Sequence, residues 1–190
     1  DRSMLDSSQP ETLLDSAIAA VEGGDGYRAH LDKMRVPIYI ADADGQVTYW
    51  NQACVDFAGR EPQLGQDRWC VTWRLFTLDG TPLPHDQCPM ATAIKEQRSI
   101  RTEIAIAMRP NSSRVAFRPY PTPLFDRSGH FKGAINMLID ISDEQVEALA
   151  EQAARCRRLA DSTDDKSARG ILRSMANGYD QSVEALRRES

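Results

Sequence analysis

Residues 131–142 read Phe-Lys-Gly-Ala-Ile-Asn-Met-Leu-Ile-Asp-Ile-Ser, and the hydrophobic pattern changes its period where this stretch ends. Up to Asp140 the side chains alternate with a period of two, which predicts a β-strand. After Ser142 the apolar residues recur every three or four positions, which predicts an amphipathic helix. The helical stripe comprises Val146, Leu149, Ala153, Cys156 and Ala160. The sequence therefore predicts a strand that passes directly into a helix.

The start of this helix carries two capping signals. Ser142 precedes Gln145 by three residues, the spacing of a capping box in which each side chain bonds the other residue's backbone N–H. Ile141 and Val146 occupy the positions of a hydrophobic staple. We predict that Asp140, Ile141, Ser142 and Gln145 form a rigid relay between strand and helix. Such a joint carries strain from a sheet to a partner surface, which is typical of a signal transmitter and not of a catalyst.

Composition limits the class of protein. The chain has 190 residues, a net charge of -5 and 41% hydrophobic residues, enough for one globular domain with helical attachments. The absence of a basic excess argues against nucleic-acid binding. No apolar run approaches the roughly 20 residues that cross a bilayer. The first residues also lack the pattern of a signal peptide. We expect a cytoplasmic protein that does not insert into membranes.

The cysteines give no evidence for a metal site or a disulfide framework. They are widely spaced and form no Cys-x-x-Cys pair, so we expect buried or partly exposed thiols. They are Cys54, Cys70, Cys88 and Cys156. Asp42 and Asp44 lack the later glutamate of a calcium loop and are interpreted as turn residues. No metal site is predicted.

Spacing, caps and turn residues divide the rest of the chain. Helices are predicted at 10–22, 27–34 and 51–58, with a fourth from Asp86 or Cys88 to Gln97. Strands are predicted at 36–40, 47–50, 104–108, from 115 onward and at 131–140. Residues 61–83 have no clear period and are predicted to form loops around buried aromatic side chains. After residue 142 we predict a helical hairpin with a polar break at 161–165.

The order of these elements and several motifs resemble the PAS domain. The motifs are Ile38-Tyr-Ile-Ala-Asp42 with Asp44-Gly45, Trp50-Asn-Gln-Ala53, and residues 133–142, whose Asp-Ile-Ser ending is similar to the Asp-Ile-Thr ending of PAS sheets. Residues 79–90, with 119–124, resemble PAS domains of bacterial sensor kinases. The resemblance covers about 31–142.

The resemblance implies an α+β fold. Its core would be a five-stranded antiparallel sheet in the order 2-1-5-4-3, with short helices on one face and a cavity between. We therefore divide the chain into an N-terminal helical extension (1–30), a PAS domain (31–142) and a C-terminal helical hairpin (143–190).

The resemblance also suggests a haem site, which we weigh against a simpler interpretation. Haem-binding PAS domains place an axial histidine on the helix before the third strand, and His85 stands at the start of that helix. Cys88-Pro89 is similar to a dipeptide of some haem-responsive proteins. The alternative is a loop histidine beside a helix that Asp86 caps. We favour this alternative because the sequence carries no further haem signature.

A flavin site is not expected. Cys70 lies near the position of the flavin-reactive cysteine of light-sensing PAS domains, but residues 65–70 do not reproduce their Gly-x-Asn-Cys-Arg-Phe pattern. A small ligand remains an open alternative to a filled core. The candidate cavity-lining residues are Trp50, Phe57, Trp69, Trp73, Phe76, Met90, Ile94, Phe117 and Met137.

Catalysis finds no support in the sequence. It contains no Gly-rich phosphate loop, no Gly-x-Ser-x-Gly elbow and no His-Glu-x-x-His motif. The histidines are His30, His85 and His130, so the predicted hairpin has no phospho-accepting histidine. We expect a non-catalytic PAS signalling or adaptor protein that forms a homodimer through its flanking helices and contacts other signalling proteins. The alternatives are a haem- or ligand-dependent PAS sensor and the sensory fragment of a histidine kinase.

Overall fold

The structure, a computed structural model, describes residues 9–187. Its helices are α1 (Gln9–Glu22), α2 (Tyr27–Asp32), α3 (Gln52–Ala58), α4 (Pro89–Glu96), α5 (Ser142–Ser162) and α6 (Lys166–Arg187). Its strands are β1 (Ile38–Asp42), β2 (Val47–Trp50), β3 (Arg74–Phe76), β4 (Pro82–Leu83), β5 (Ala105–Met108), β6 (Arg114–Pro119), β7 (Thr122–Phe125) and β8 (Phe131–Asp140). Residues 1–8 of the predicted extension and 188–190 of the predicted hairpin lie outside the described residues.

The strands form an antiparallel sheet in the order β2-β1-β8-β6-β5-β3-β4, and β7 also pairs with β8. The predicted α+β architecture is confirmed. Strands β2, β1, β8, β6 and β5 stand in the predicted order 2-1-5-4-3. Strand β8 has neighbours on both edges, so the strand that leads into the C-terminal helices runs through the middle of the sheet.

The predicted number of five strands is wrong, since the described residues contain eight. Strands β3 and β4 come from the stretch predicted to be loops. Leu75 of β3 is buried and pairs with Ala107 of β5, so tertiary pairing outweighs the weak local pattern. The predicted fourth strand is divided into β6 and β7, with Pro121 between them. This break is the irregularity expected from its prolines, each of which lacks a backbone donor.

The sheet is covered on both faces. On one face, buried side chains of β1, β8, α3 and α4 form an interior cluster that includes Tyr39 and Ala41. On the other face, Ile38 and Ile40 pack in an outer cluster with Leu14 of α1. Successive residues of β1 thus point to opposite faces, and both faces are apolar because both are covered.

Asn51 joins three elements where β2 meets α3. Its side-chain oxygen accepts from Cys54 N at 3.2 Å, which caps α3, and from Ile38 N at 3.1 Å. Its amide nitrogen donates to Leu31 O at 3.1 Å and to Val36 O at 2.9 Å. This buried side chain fixes α2 and α3 against the start of β1.

The C-terminal residues form the predicted helical hairpin. Helices α5 and α6 pack antiparallel through a buried cluster of Ala153, Cys156 and Ala176. Arg157 pairs with Asp180 across the hairpin. Among the described helices, none is long and apolar enough to cross a membrane.

The backbone of β1 leaves no room for a side chain at Gly133 of β8, and substitution of this glycine tests the sheet. Its φ is 129°, and a Cβ there would lie 2.0 Å from the carbonyl oxygen of Ala41. We expect Gly133→Ala to lower the free energy of unfolding, measured by urea denaturation, by about 4 kcal/mol or more.

The control is Gly129→Ala. Gly129 also has a positive φ, 82°, but a Cβ there would meet nothing within 4 Å. Only the positive φ disfavours alanine here, so we expect the free energy of unfolding to fall by about 1–2 kcal/mol. Equal losses in the two variants would contradict the close contact at Gly133.

Candidate functional site

Strand β8 passes into α5 without an intervening loop. Strand β8 ends at Asp140 and α5 begins at Ser142. The backbone N–H of Ile141 donates to Ala116 O of β6 at 2.9 Å, and Gln145 N donates to Ile141 O at 2.9 Å. The backbone hydrogen bonds of the sheet therefore continue into the first turn of the helix.

The side chain of Ser142 does not cap α5, so the prediction of a capping box is wrong. The hydroxyl of Ser142 accepts from the backbone N–H of Ala116 at 3.0 Å, and no side chain caps α5 at Ile141. Ser142 is buried against β6, where an unpaired strand amide would cost about 1–3 kcal/mol. Asp140 accepts from Ser142 N at 2.9 Å, and Gln145 takes part through its backbone.

Apolar side chains surround the junction on the outer face of the sheet. The junction cluster contains Ile106, Ala116, Ile141 and Leu186, with Phe76, Ile104, Ile139, Val146 and Leu149 packed against it. Ile141 and Val146 lie in this cluster, but Ile141 is the N-cap of α5 and not the N′ residue of the predicted staple. Because Leu186 belongs to the last turn of α6, both helices of the hairpin meet the sheet at this one place.

The predicted cavity-lining residues do not form a single group. The interior cluster contains Phe57, Trp69, Met90, Ile94 and Phe117, and Trp50 packs against it. The other predicted lining residues lie elsewhere.

The placement of Trp73, Phe76 and Met137 corrects the predicted set. Trp73 is 40% exposed, and its ring lies under the guanidinium of Arg74. Phe76 lies at the junction cluster because Leu75, the preceding residue of β3, points into the interior. Met137 belongs to the outer cluster, since neighbouring Leu138 occupies the interior face.

The interior contains a polar network that the sequence did not predict. The hydroxyl of Tyr39 donates to Trp69 O at 2.8 Å and accepts from the side-chain amide of Asn136 at 3.1 Å. Asn136 in turn accepts from Tyr120 N at 3.0 Å. Burial raises the pKa of Tyr39 well above its ordinary value, and Cys70 and Cys88 raise it further, so the phenol stays neutral. The sequence signal for this network is Asn136 itself, an amide in an apolar strand.

Trp69 of the interior cluster also contacts cationic side chains at the surface. Its backbone has a φ of 69°, and its ring lies on Gly45, where a Cβ would come within 2.4 Å of the ring. Arg68 and Lys95 place cationic groups over the ring at 4.4 and 5.0 Å from its centroid. Trp69 thus connects the surface to Tyr39 through its own carbonyl group.

The family model described as the PAS fold matches residues 31–146, which is more than half of the chain. The chain belongs to the PAS family. No curated protein matches the chain. The PAS domain therefore contains the interior network and the start of α5.

Several solved structures are similar to this PAS protein. The LOV protein of Rhodobacter sphaeroides has 13% identity and a TM-score of 0.46, over 93% of this chain and 99% of its own. The PAS domain of Bordetella pertussis BvgS has 23% identity and a TM-score of 0.42, over 70% and 91%. The PAS domain of the fruit-fly ELK potassium channel has 11% identity and a TM-score of 0.47, over 60% and 92%. The family assignment rests on the family model.

Cys88 of the PAS domain, predicted beside His85 as a metal-like pair, serves as a helix cap. Cys88 is buried and caps α4, where its sulfur accepts from Ala91 N at 3.4 Å. The helix is thus capped by Cys88 and not by Asp86. Within residues 9–187, no group of three or more histidine, cysteine, aspartate or glutamate side chains is placed to hold a metal ion.

His85 nevertheless has an unusual environment. It is half-buried in a turn of 3-10 helix, and its Nε2 atom is buried without a hydrogen-bond partner among the described residues. Burial lowers the pKa of His85, while the charges of Asp67 and Asp86 oppose that change. Nearby, Arg60 forms an ion pair with Asp67, with 2.8 Å between Nη1 and Oδ1. This pair fixes the loop that precedes Trp69 in the sequence. His85 therefore offers a neutral nitrogen without a partner beside that loop.

Cys70 has the environment of a structural thiol. It is buried in the interior cluster, 3.1 Å from the hydroxyl of Thr72. Burial raises the pKa of the Cys70 thiol, which disfavours the reactive thiolate. The expectation that no flavin binds stays a prediction.

Replacing Ser142 tests the junction. In Ser142→Ala, the buried N–H of Ala116 loses its acceptor, and we expect a loss of about 1–3 kcal/mol in the free energy of unfolding. Hydrogen exchange at Ala116 and in the first turn of α5 should become faster, as mass spectrometry or NMR can measure.

The matched control is Ser162→Ala at the other end of α5. Ser162 is exposed and donates to Leu159 O at 3.0 Å. We expect a change within about 0.5 kcal/mol and no change in exchange at Ala116. Unchanged exchange at Ala116 in Ser142→Ala would contradict the role of the hydroxyl.

Proposed function

We propose that the chain is a non-catalytic PAS signal-transduction or adaptor protein. It receives or relays a signal in the PAS core and passes it, through the helical hairpin, to protein partners that include a second copy of itself. The observation that carries this proposal is the continuous hydrogen bonding from β8 through Ile141 into α5.

The interior network gives the signal a path to the junction. The carbonyl of Trp69 is bonded to Tyr39, and Tyr39 is bonded to Asn136. Asn136 belongs to β8 and lies four residues before Asp140, where the strand ends. A displacement of Trp69 therefore acts on hydrogen bonds of β8 itself. Because β8 is paired on both edges, we infer that it transmits that displacement along its length.

The hairpin supplies the output surface. Its base is fixed at the junction cluster through Ile141 and Leu186, so a movement of β8 turns α5 and α6 together. Large apolar side chains are exposed along the hairpin: Leu159, Ile171 and Met175. Exposed apolar side chains on a helix favour contact with another protein.

We place this relay in the cytoplasm, away from membranes and nucleic acids. The net charge of -5 disfavours nucleic acids and anionic membranes as partners, since phosphate-rich partners select basic surfaces. PAS domains are generally sensory modules without catalysis, which supports a role in binding and transmission. The signal leaves the PAS domain through α5 whether the chain acts alone or as the sensory part of a histidine kinase.

The relay predicts that a change in the interior reaches the hairpin. Tyr39→Phe removes one hydroxyl and keeps the ring, so Asn136 and the carbonyl of Trp69 lose a shared partner. We expect hydrogen exchange at the end of β8 and in the first turn of α5 to rise about tenfold. Ser142→Ala should reduce the response of α5 to Tyr39→Phe.

The control is Tyr49→Phe, which removes a hydroxyl bonded to Asp32 near the outer cluster. Exchange in α5 should stay unchanged in this variant. If Tyr39→Phe also leaves α5 unchanged while it loosens the loop at Trp69, the core and the hairpin are not coupled and the proposed relay is wrong.

His85 favours a second candidate function, a haem- or ligand-dependent sensor. The specific observation is its buried Nε2 atom without a partner. If His85 ligates haem, reconstitution with haem should give a Soret band that His85→Ala shifts or abolishes, while His30→Ala leaves it unchanged. A spectrum without a Soret band would exclude the haem form of this candidate.

A further inference from the structure

Helix α6 has one face without a charged side chain, which we call the neutral face. At about 3.6 residues per turn, the following residues share this side of the helix: Ser167, Gly170, Ile171, Ser174, Met175, Gly178, Gln181, Ser182 and Ala185. The side that packs on α5 and the sheet carries Leu172, Ala176, Tyr179, Val183 and Leu186. The charged residues lie on the remaining side: Lys166, Arg169, Arg173, Asp180, Glu184 and Arg187.

The neutral face exposes two large apolar side chains to water. Ile171 is 60% exposed and Met175 is 45% exposed. Gly170 and Gly178 have open space where a Cβ would stand, so contacts within the described chain do not require glycine there. Each glycine costs about 0.5–1 kcal/mol relative to alanine in a helix. A solvent-facing side of a helix normally carries charged and polar residues, whereas this face combines polar residues with glycines and exposed large apolar side chains and carries no charge. These features indicate that another helix covers this face.

We propose that the neutral face packs antiparallel against the neutral face of α6 in a second copy of the chain. The proposal rests on the proposed function, because it specifies the homodimer that the hairpin forms. Size complementarity supports a second copy as the partner. We place the two-fold axis between Ala176 and Asn177, where Ile171 faces Ser182 and Met175 faces Gly178 of the second copy. Each large side chain then meets a small residue, as close helix packing requires.

The charges of the hairpin favour the same orientation. The end near the sheet is acidic: Asp143, Glu144, Glu147 and Glu184. The far end carries the basic residues Arg155, Lys166, Arg169 and Arg173. Two ion pairs, Arg157 with Asp180 and Arg158 with Glu151, lie between these ends. Asp161, Asp164 and Asp165 at the turn and Arg187 near the sheet reduce this polarity without reversing it. An antiparallel pair places each basic end beside the acidic end of the other copy, whereas a parallel pair places like charges together.

The helix dipoles also oppose each other in the antiparallel pair. The charged side chains of α6 lie outside the neutral face and are not buried between the two copies. Their effect is therefore to orient the two copies. The apolar contacts of Ile171 and Met175 hold the copies together.

Sedimentation equilibrium of the full chain tests the interface. We expect a dimer, and we expect Ile171→Glu and Met175→Glu to raise its dissociation constant about 100-fold, because each buries an unpaired charge. The control is Asn177→Glu, which adds the same charge to an exposed position outside the neutral face and should leave the dimer intact. Circular dichroism should show that all three variants keep their helices.

Cysteine cross-linking tests the orientation. In the antiparallel pair, the two Ile171 residues lie about 16 Å apart along the helix axis, and each faces Ser182 of the other copy. A mixture of Ile171→Cys and Ser182→Cys chains should therefore form a disulfide-linked dimer under mild oxidation, and neither variant should do so alone. The native cysteines are all buried, so the unchanged chain serves as the control.

Each result decides between definite alternatives. A monomeric native chain, or a dimer that both glutamate variants leave intact, overturns the proposed interface. Cross-linking of Ile171→Cys with itself overturns the antiparallel orientation. The relay is tested separately, since hydrogen exchange near Ala116 and Ile141 reports on coupling within one chain.

Discussion

The architecture depends on how the buried backbone of β6 is satisfied at Ala116. The segment that leaves the sheet bonds both polar backbone groups of that residue. The carbonyl of Ala116 accepts from the N–H of Ile141, and its N–H donates to the hydroxyl of Ser142. A helix that began one residue later would leave a buried amide unpaired. This requirement fixes where α5 begins and the direction in which it leaves, and the end of α6 then covers the same place.

The sequence shows the strand-to-helix change because two hydrophobic periods meet at residues 140–142. It does not show the partner of Ser142, which lies 26 residues earlier in β6. A serine followed by a glutamine three residues later predicts a local cap, and the structure uses the hydroxyl for tertiary pairing. Short strands such as β3 are equally hidden, because they depend on the edge that β5 offers.

Aromatic content predicts a buried core but not the distribution of its members. Alternation along β8 places Met137 and Leu138 on opposite faces, so the sequence alone predicts the face of Met137. The sequence does not predict the hydrogen bond between Tyr39 and Asn136, since 97 residues separate them. Strand order followed from the family resemblance, as local patterns do not encode long-range pairing.

The position of α1 limits how the chain can be shortened. Leu14 and Ala17 are fully buried against side chains of β1 and β8, and Glu11 pairs with Arg101 at 2.7 Å. A truncated chain that starts after this helix would expose Ile38 and Ile135 as a flat apolar surface, which invites aggregation. Work on the isolated sensory core must therefore retain the amino-terminal helix, although that helix precedes the stretch that defines the family.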